Sequence, residues 1–254
     1  MLVSSKDLEK LNQRFENAPP LDVLRFVHAE FGPRAAILSS MQRPGTVLCH
    51  MADRAGLTFD VLFVDTGLLH PETHATKEAL AKTHPNLRVV PLTPERSFMQ
   101  QCGEEGVLYL TREGQERCCD LRKRQPLLQA RGRYDAVIGA LRREEGGARS
   151  RTKTFALDPA LGALRVHPFV LFTKALLDQY VAEHPDCVVN PLHAMGFRTI
   201  GCYPCTTPVL PTEGRRAGRW RHLASVEYCG INPSDLGAVT GSIELDDRYA
   251  DLFA

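Results

Sequence analysis

Apolar residues recur at helical spacing near the start of the chain and at strand spacing soon after. Residues 5–16 and 20–31 each carry one apolar stripe, and the second (Leu21, Leu24, Phe26, Val27) stops at Gly32. Arg34 to Ser40 is a short buried-strand pattern that runs into a loop, Met41-Gln42-Arg43-Pro44-Gly45, followed by a helix over Thr46–Ala55. Phe59–Val64 is a second strand closed by Asp65-Thr66-Gly67, and Pro71 then opens a helix with Glu72 behind it. Leu87–Leu92 and Tyr134–Ala140 add two further strands, and Pro126 predicts a kink within residues 119–130. Strand–loop–helix units in this succession predict an α/β fold, a mostly parallel sheet with helices on both faces. Ligands of such folds sit beyond the carboxyl ends of the strands, so the loop after the first strand is the expected anion site, beside a helix N-terminus.

Length and charge narrow the field. With 254 residues and 43% apolar content the chain can bury one substantial core. No apolar run reaches membrane-spanning length. Lysine plus arginine total 31 against 30 acidic residues, which gives no reason to expect nucleic acid as a partner. The distribution is less even. From Arg112 to Lys153 there are 12 basic and 6 acidic residues, and Arg215, Arg216, Arg219 and Arg221 cluster later. Local excess of this kind suits a small anion or an acidic partner, although a solvated helix face accounts for part of it. The glycine-containing run from Arg142 to Ser150 is expected to be mobile. Residues 233–254, acidic at Glu244, Asp246, Asp247 and Asp251, are expected to form a disordered, solubilising tail beyond a single domain of residues 1–232.

The cysteines carry the chemistry. Cys202-Tyr203-Pro204-Cys205 is a tight turn able to aim two sulfurs at one centre, and Cys118-Cys119 lies upstream, separated from it by 82 intervening residues. The polar start, Met1 to Phe15, has no apolar signal core, and a cytoplasmic chain keeps its thiols reduced. Paired cysteines then point to metal or catalysis rather than disulfides. Four thiolates suit zinc or a cubane iron–sulfur cluster, and spacing leaves both open. Neighbouring side chains diverge, which a cube with its irons spread apart accommodates better than one small ion. Cys49 and Cys187 read as small core residues, and Cys102 has no evident partner.

Several ordered segments resemble the sulfonucleotide reductase family. Asp65-Thr66-Gly67-Leu68-Leu69-His70-Pro71-Glu72-Thr73 is similar to LDTGRLHPET, and Cys118-Cys119-Asp120-Leu121-Arg122-Lys123 to CCxxRK. Asn190-Pro191-Leu192-His193, Ile200 through Thr206, and Arg216-Ala217-Gly218-Arg219-Trp220 resemble NPLH, IGCxPCT and RxGRW. Cys229-Gly230-Ile231-Asn232 resembles a C-terminal CGLH. The resemblance implies an adenine nucleotide alpha hydrolase-like (PP-loop) fold. The two cysteine pairs place it with the iron–sulfur type of assimilatory adenylylsulfate (APS) reductase, implying a [4Fe-4S] cluster on Cys118, Cys119, Cys202 and Cys205 with Lys123 beside it. Cys229 would be the nucleophile, attacking the sulfur of APS to leave an S-sulfocysteine that thioredoxin or a similar dithiol resolves to sulfite. Substrate binding would fall to Ser39, Ser40, Arg43, Asp65, Thr66, Gly67, Arg122, Arg142, Arg149, Arg216 and Arg219. A homo-oligomer is compatible with the resemblance. His193 reads as a turn residue without chemistry, His70 and Glu72 as helix caps or ligand contacts, and Arg219–Trp220 as a surface cation–π pair or an anion contact.

Departures from the pattern cluster on the anion side. In place of a serine-rich SxSGxxD loop stands Ser39-Ser40-Met41-Gln42-Arg43-Pro44-Gly45, where Pro44 removes an amide donor. Leu68 replaces the arginine of LDTGR, Leu141 one arginine of GxRR, and Asn232 the histidine of CGLH. Arg43 is a candidate substitute for one lost contact. Two other readings therefore stand beside APS reduction. One is a paralogue using Cys229 on another adenylated or sulfur-bearing substrate; the other is a non-catalytic, cluster-bearing partner subunit. The 3′-phosphorylated form of APS also stays open as a substrate, because the arginines of residues 142–151 could hold a further phosphate.

Overall fold

The computed structural model describes residues 1–223, 231 and 241–253. A six-stranded sheet runs in the order β4-β3-β2-β5-β7-β6. Its strands are β2 (Ala35–Leu38), β3 (Phe59–Val64), β4 (Leu87–Leu92), β5 (Ala136–Ile138), β6 (Phe155–Asp158) and β7 (Ala163–Val166). All neighbouring pairs are parallel except the β6–β7 hairpin, which turns at Gly162 with φ +67°. The hairpin is absent from the reading of the sequence, because two four-residue strands are too short for a legible alternation.

Side chains of alternate strand residues enter two separate cores. Ala35, Ile37, Val61, Phe63 and Ile138 pack with α1 (Leu8–Phe15), α2 (Pro20–Phe31), α3 (Arg43–Arg54) and α8 (Lys174–Glu183). Ala36, Leu62 and Val137 face the other way, onto Leu127 of α7 (Gln125–Leu128), Ala130 and Tyr134. Helices thus cover both faces, as near-continuous apolar strands require. At the exposed edge Asn12 of α1 holds the backbone of Phe155: its Oδ1 accepts from Phe155 N (2.8 Å) and its Nδ2 donates to Phe155 O (2.9 Å). That side chain takes the place of a further strand and blunts the edge.

Three expectations change. Helix α3 begins at Arg43, before Thr46, so Pro44 sits in a first turn whose N–H groups have no helical acceptor and costs the helix nothing. The run from Arg142 to Ser150 is not loose: two 3₁₀ turns, Arg143–Glu145 and Gly147–Arg151, are pinned by Arg143 on Glu16 (2.6 Å) and by ion pairs to Glu145. The acidic end is not a disordered extension over residues 241–253. There, β8 (Ser242–Glu244) pairs antiparallel with β1 (Leu2–Ser4), and Ile243, Leu245 and Tyr249 are buried. Tyr249 donates its hydroxyl to Asp135 Oδ2 at 2.8 Å, deep beneath the sheet. Apolar residues at alternate positions outweigh the acidic ones, which face outward.

Candidate active site

The loops leaving β2, β3 and β5 converge on one cavity of about 690 Å³. The sheet changes direction here: the chain goes from β2 outward through β3 and β4, then returns to the other side of β2 as β5. A ligand crevice belongs at such a point.

The loop after β2 is held from within. Ser39 is buried, and its Oγ accepts from Met41 N at 3.2 Å while Met41 takes φ +55°. A Cβ on Gly45 would come within 2.7 Å of Ser39 Oγ, so only glycine lets α3 start this close. Gln42 Oε1 accepts from Ile200 N (2.9 Å), and Arg43 N donates to His193 Nε2 (3.1 Å). His193 Nδ1 faces Phe197 O at 2.9 Å, and a carbonyl only accepts. His193 is therefore the neutral Nδ1–H tautomer, and burial pushes its pKa down to about 4. It has more than a turn to hold, since it ties the anion loop to the NPLH segment. Arg43 itself is committed elsewhere, its Nη1 lying 2.5 Å from Asp178, which also pairs with Lys174.

Across the cavity stand Arg142, Arg149, Arg215, Arg216 and Arg219, with Glu145 among them. Arg219 is buried and lies over the Trp220 ring at 4.4 Å, so this cation–π pair is interior and not on the surface. Among the described residues its Nε and Nη2 have no acceptor, nor has Arg142 Nε, and buried Thr206 Oγ1 is also unpartnered. Buried donors without acceptors are costly, and a cluster of cationic ones is the signature of a place kept for an anion. Gly201 is what lets Arg219 enter: a Cβ there would stand 2.6 Å from the guanidinium carbon.

A second, smaller cavity adjoins the first. It is bordered by Cys118, Cys119, Cys202 and Cys205 with Gln115, Arg122, Lys123, Leu68 and Tyr109. The first pair ends α6 (Arg112–Cys119), whose cap is Thr111 Oγ1 accepting from Gly114 N at 3.1 Å. A π-helical turn, Asp120–Arg124, follows, so the helix widens directly after the thiols, ahead of the position at which Pro126 predicts a kink. The second pair flanks a 3₁₀ turn, Tyr203–Cys205, fixed by Tyr203 N on Leu68 O (2.7 Å) and by Trp220 N on Cys205 O (2.9 Å). Gln115 Nε2 donates to Cys119 Sγ at 3.1 Å, and Thr66 Oγ1 lies 3.3 Å from Cys202 Sγ. Burial pushes the Cys118 thiol up to about 11 and the Cys205 thiol to about 12, with neighbouring thiols adding to both. Lys123 and Cys202 line both cavities, so the thiol set and the cationic pocket share a wall. Among the described residues no group of three or more His, Cys, Asp or Glu is arranged to hold a single metal ion.

Of the residues singled out from the sequence, Ser39, Ser40, Arg43, Thr66, Arg142, Arg149, Arg216 and Arg219 line the large pocket. Three others do not. Arg122 borders the thiol cavity, donating to Thr66 O at 2.8 Å. Asp65 Oδ1 accepts from Gly67 N (3.0 Å), and Gly67 has φ +69°, so these two shape the turn that presents Thr66. His70 occupies the N-cap position of α4 (Pro71–Thr83) without a capping bond and packs on Phe197 and Tyr203. Cys49 and Cys187 are core residues. Cys229 and Asn232 lie outside the described residues. Ile231, beside them, lines the large pocket, and Arg165 Nη2 donates to its carbonyl at 3.3 Å. Asp178 and Glu145 are not legible from the sequence, because an acidic residue among arginines looks like an ordinary surface pair, whereas Arg215 belongs to the later arginine cluster already noted there.

Residues 34–208 match the model of the phosphoadenosine phosphosulfate reductase domain. An adenosine 5′-phosphosulfate reductase of Streptomyces coelicolor is 35% identical over 224 residues, covering 88% of this chain and 92% of its own. Adenosine 5′-phosphosulfate reductase 1 of Bacillus subtilis is 31% identical over 212 residues, covering 84% and 90%. Among solved structures, a phosphoadenylyl-sulfate reductase from Candida auris, in a phosphate complex, superposes with a TM-score of 0.68 at 19% identity. It covers 81% of this chain and 98% of its own, which establishes the shared fold.

Proposed function

The chain belongs to the phosphoadenosine phosphosulfate reductase domain family, and from that premise we propose that it reduces adenosine 5′-phosphosulfate to sulfite and AMP. The observation that carries this reading is the shared wall. A pocket into which buried guanidinium donors without an acceptor among the described residues project adjoins the cavity bordered by four thiols through Lys123 and Cys202. The names of the relatives, adenosine 5′-phosphosulfate reductases matched over most of their length, support the same substrate.

Arg219 and Arg142 receive the phosphosulfate oxygens, with Ser39, Ser40 and Thr66 as hydroxyl contacts on the facing wall. Cys229 supplies the nucleophile. Its thiolate forms a bond to the sulfur of the sulfuryl group, the sulfur–oxygen bond to phosphate breaks, and AMP leaves with the electron pair. A dithiol of the thioredoxin class then attacks Cys229 Sγ, expels sulfite, and resolves as its own disulfide. Two electrons pass from dithiol to sulfur, and Cys229 returns as a thiolate.

Cys118, Cys119, Cys202 and Cys205 would hold a [4Fe-4S] cluster, with Lys123 and Arg122 as complementary cations and Gln115 on Cys119. All four thiols border one buried cavity, which is the observation that fits such a group. Bound there, the cluster supplies fixed charge and rigidity to the wall it shares with the pocket. Among the described residues the cysteines form no disulfide, and no helix is long and apolar enough to cross a membrane.

The test is sulfite release from adenosine 5′-phosphosulfate with thioredoxin, for the native protein and Cys229→Ser. Mass spectrometry after exposure to substrate alone is expected to find the sulfonate on Cys229. No sulfite from the native protein, or full activity in the Ser variant, would sink the assignment.

A further inference from the structure

Among the described residues, nine cationic and two acidic ones line the large pocket, and both acids are engaged with cations. Asp178 is half-exposed and pairs with Arg43 and Lys174 at the rim. Glu145 is different in kind. Its side chain is only 5% exposed, and it stands among three guanidinium groups of the pocket wall. It pairs with Arg149, Arg215 Nη1 lies 3.4 Å from its Oε1, and Arg142 Nη2 lies 3.6 Å away. A buried carboxylate held by several arginines inside a binding pocket occupies the position that a ligand anion would otherwise take.

We propose that Glu145 is the residue that limits the charge of the nucleotide this pocket accepts, and that it selects the singly phosphorylated adenylyl group over one carrying an additional phosphate. The proposal rests on the adenylylsulfate reading and sharpens it. Adenosine 5′-phosphosulfate is a dianion, with one charge on phosphate and one on sulfate. A 3′-phosphate adds up to two more charges. The unpartnered donors of Arg219 and Arg142 Nε can meet the dianion without disturbing Glu145. The added phosphate would draw on Arg142, Arg149 and Arg215, whose charge the carboxylate partly offsets, and it would be repelled by that carboxylate as well. Two of the arginines in residues 142–151, Arg142 and Arg149, are thereby partly offset by an acid within the same short segment. Glu145 ends the first 3₁₀ turn and is followed at once by the second, and its ion pairs hold it against the pocket wall.

The experiment compares AMP with adenosine 3′,5′-bisphosphate by isothermal titration on the full chain, for the native protein, Glu145→Gln and Glu145→Asp. The native protein is expected to bind AMP more tightly than the bisphosphate. In Glu145→Gln the ratio of affinities should move toward the bisphosphate by about tenfold or more. Glu145→Asp, which keeps the charge, should retain the native ratio, and its AMP binding reports that the fold is intact. An unchanged ratio in Glu145→Gln, with AMP still bound, overturns the inference and leaves the adenylylsulfate reading standing. A native protein that prefers the bisphosphate overturns it too. Failure of the native protein to bind AMP at all would remove the adenylylsulfate reading, and this inference with it.

Discussion

Replacing Gly201 by alanine tests the anion site without touching any residue proposed to bind. The new Cβ would stand 2.6 Å from both Cζ and Nη2 of Arg219 and 2.9 Å from Thr206 Oγ1. Carbon and nitrogen atoms not bonded to one another rest at about 3.5 Å, so the guanidinium must retreat by roughly 1 Å. A hydrogen bond to the substrate of about 2.9 Å would then lengthen beyond bonding range. A charge-assisted bond contributes about 1.5–3 kcal/mol, so kcat/KM for adenosine 5′-phosphosulfate should fall roughly 10- to 150-fold. The group that yields is the end of a flexible side chain, so thermal stability and iron content should change little. Steady-state sulfite release, a melting curve and an iron assay on the same preparation give the three readings. Activity within about twofold of native would refute the role given to Arg219. A loss of iron parallel to the loss of activity would show that the strain had gone instead into the adjacent Cys202 turn.

Cys119→Ser should lower the iron content of anaerobically prepared protein to a small fraction of native and bleach its visible absorbance, since Gln115 positions this sulfur at the cavity; a fully loaded variant would exclude Cys119 as a ligand. Two buried imidazoles give acid sensitivity. Burial, with Arg165 nearby, pushes His167 down to about 3, and burial pushes His193 to about 4. Unfolded, both titrate near 6.5, so below that pH the unfolded chain binds the extra protons; stability is complete above about 6.5 and drains away as pH falls toward 4. Urea unfolding at intervals from pH 7.5 to 4 should show this decline, and His193→Gln should flatten part of it. A slope identical in that variant would mean that the imidazole is not held neutral.

The part of this protein written locally was open to inspection in the linear chain. Period-two and period-3.6 patterns mark β2, β3 and β4 and the early helices because each such element buries one predictable set of side chains. The cysteine pairs are likewise local, and their chemistry is legible because few other roles suit adjacent reduced thiols. Pairing choices were not. Whether Arg43 offers a charge to a ligand or spends it on Asp178 depends on α8 arriving beside α3 from 135 residues away. The same holds for Glu145, which reads as one more charge in a polar run until the turns around it enclose it with Arg215. His193 differs from an idle turn residue only because Arg43 N reaches its ring. The acidic end looked solvated by composition, yet Ile243, Leu245 and Tyr249 join the main core, with β8 paired to β1 and Tyr249 set on Phe31 and the carboxylate of Asp135. Composition and spacing determine which chemistry a chain can do. The electrostatics of a pocket are a sum over side chains from distant segments at a few ångströms, and only the folded arrangement sets those distances.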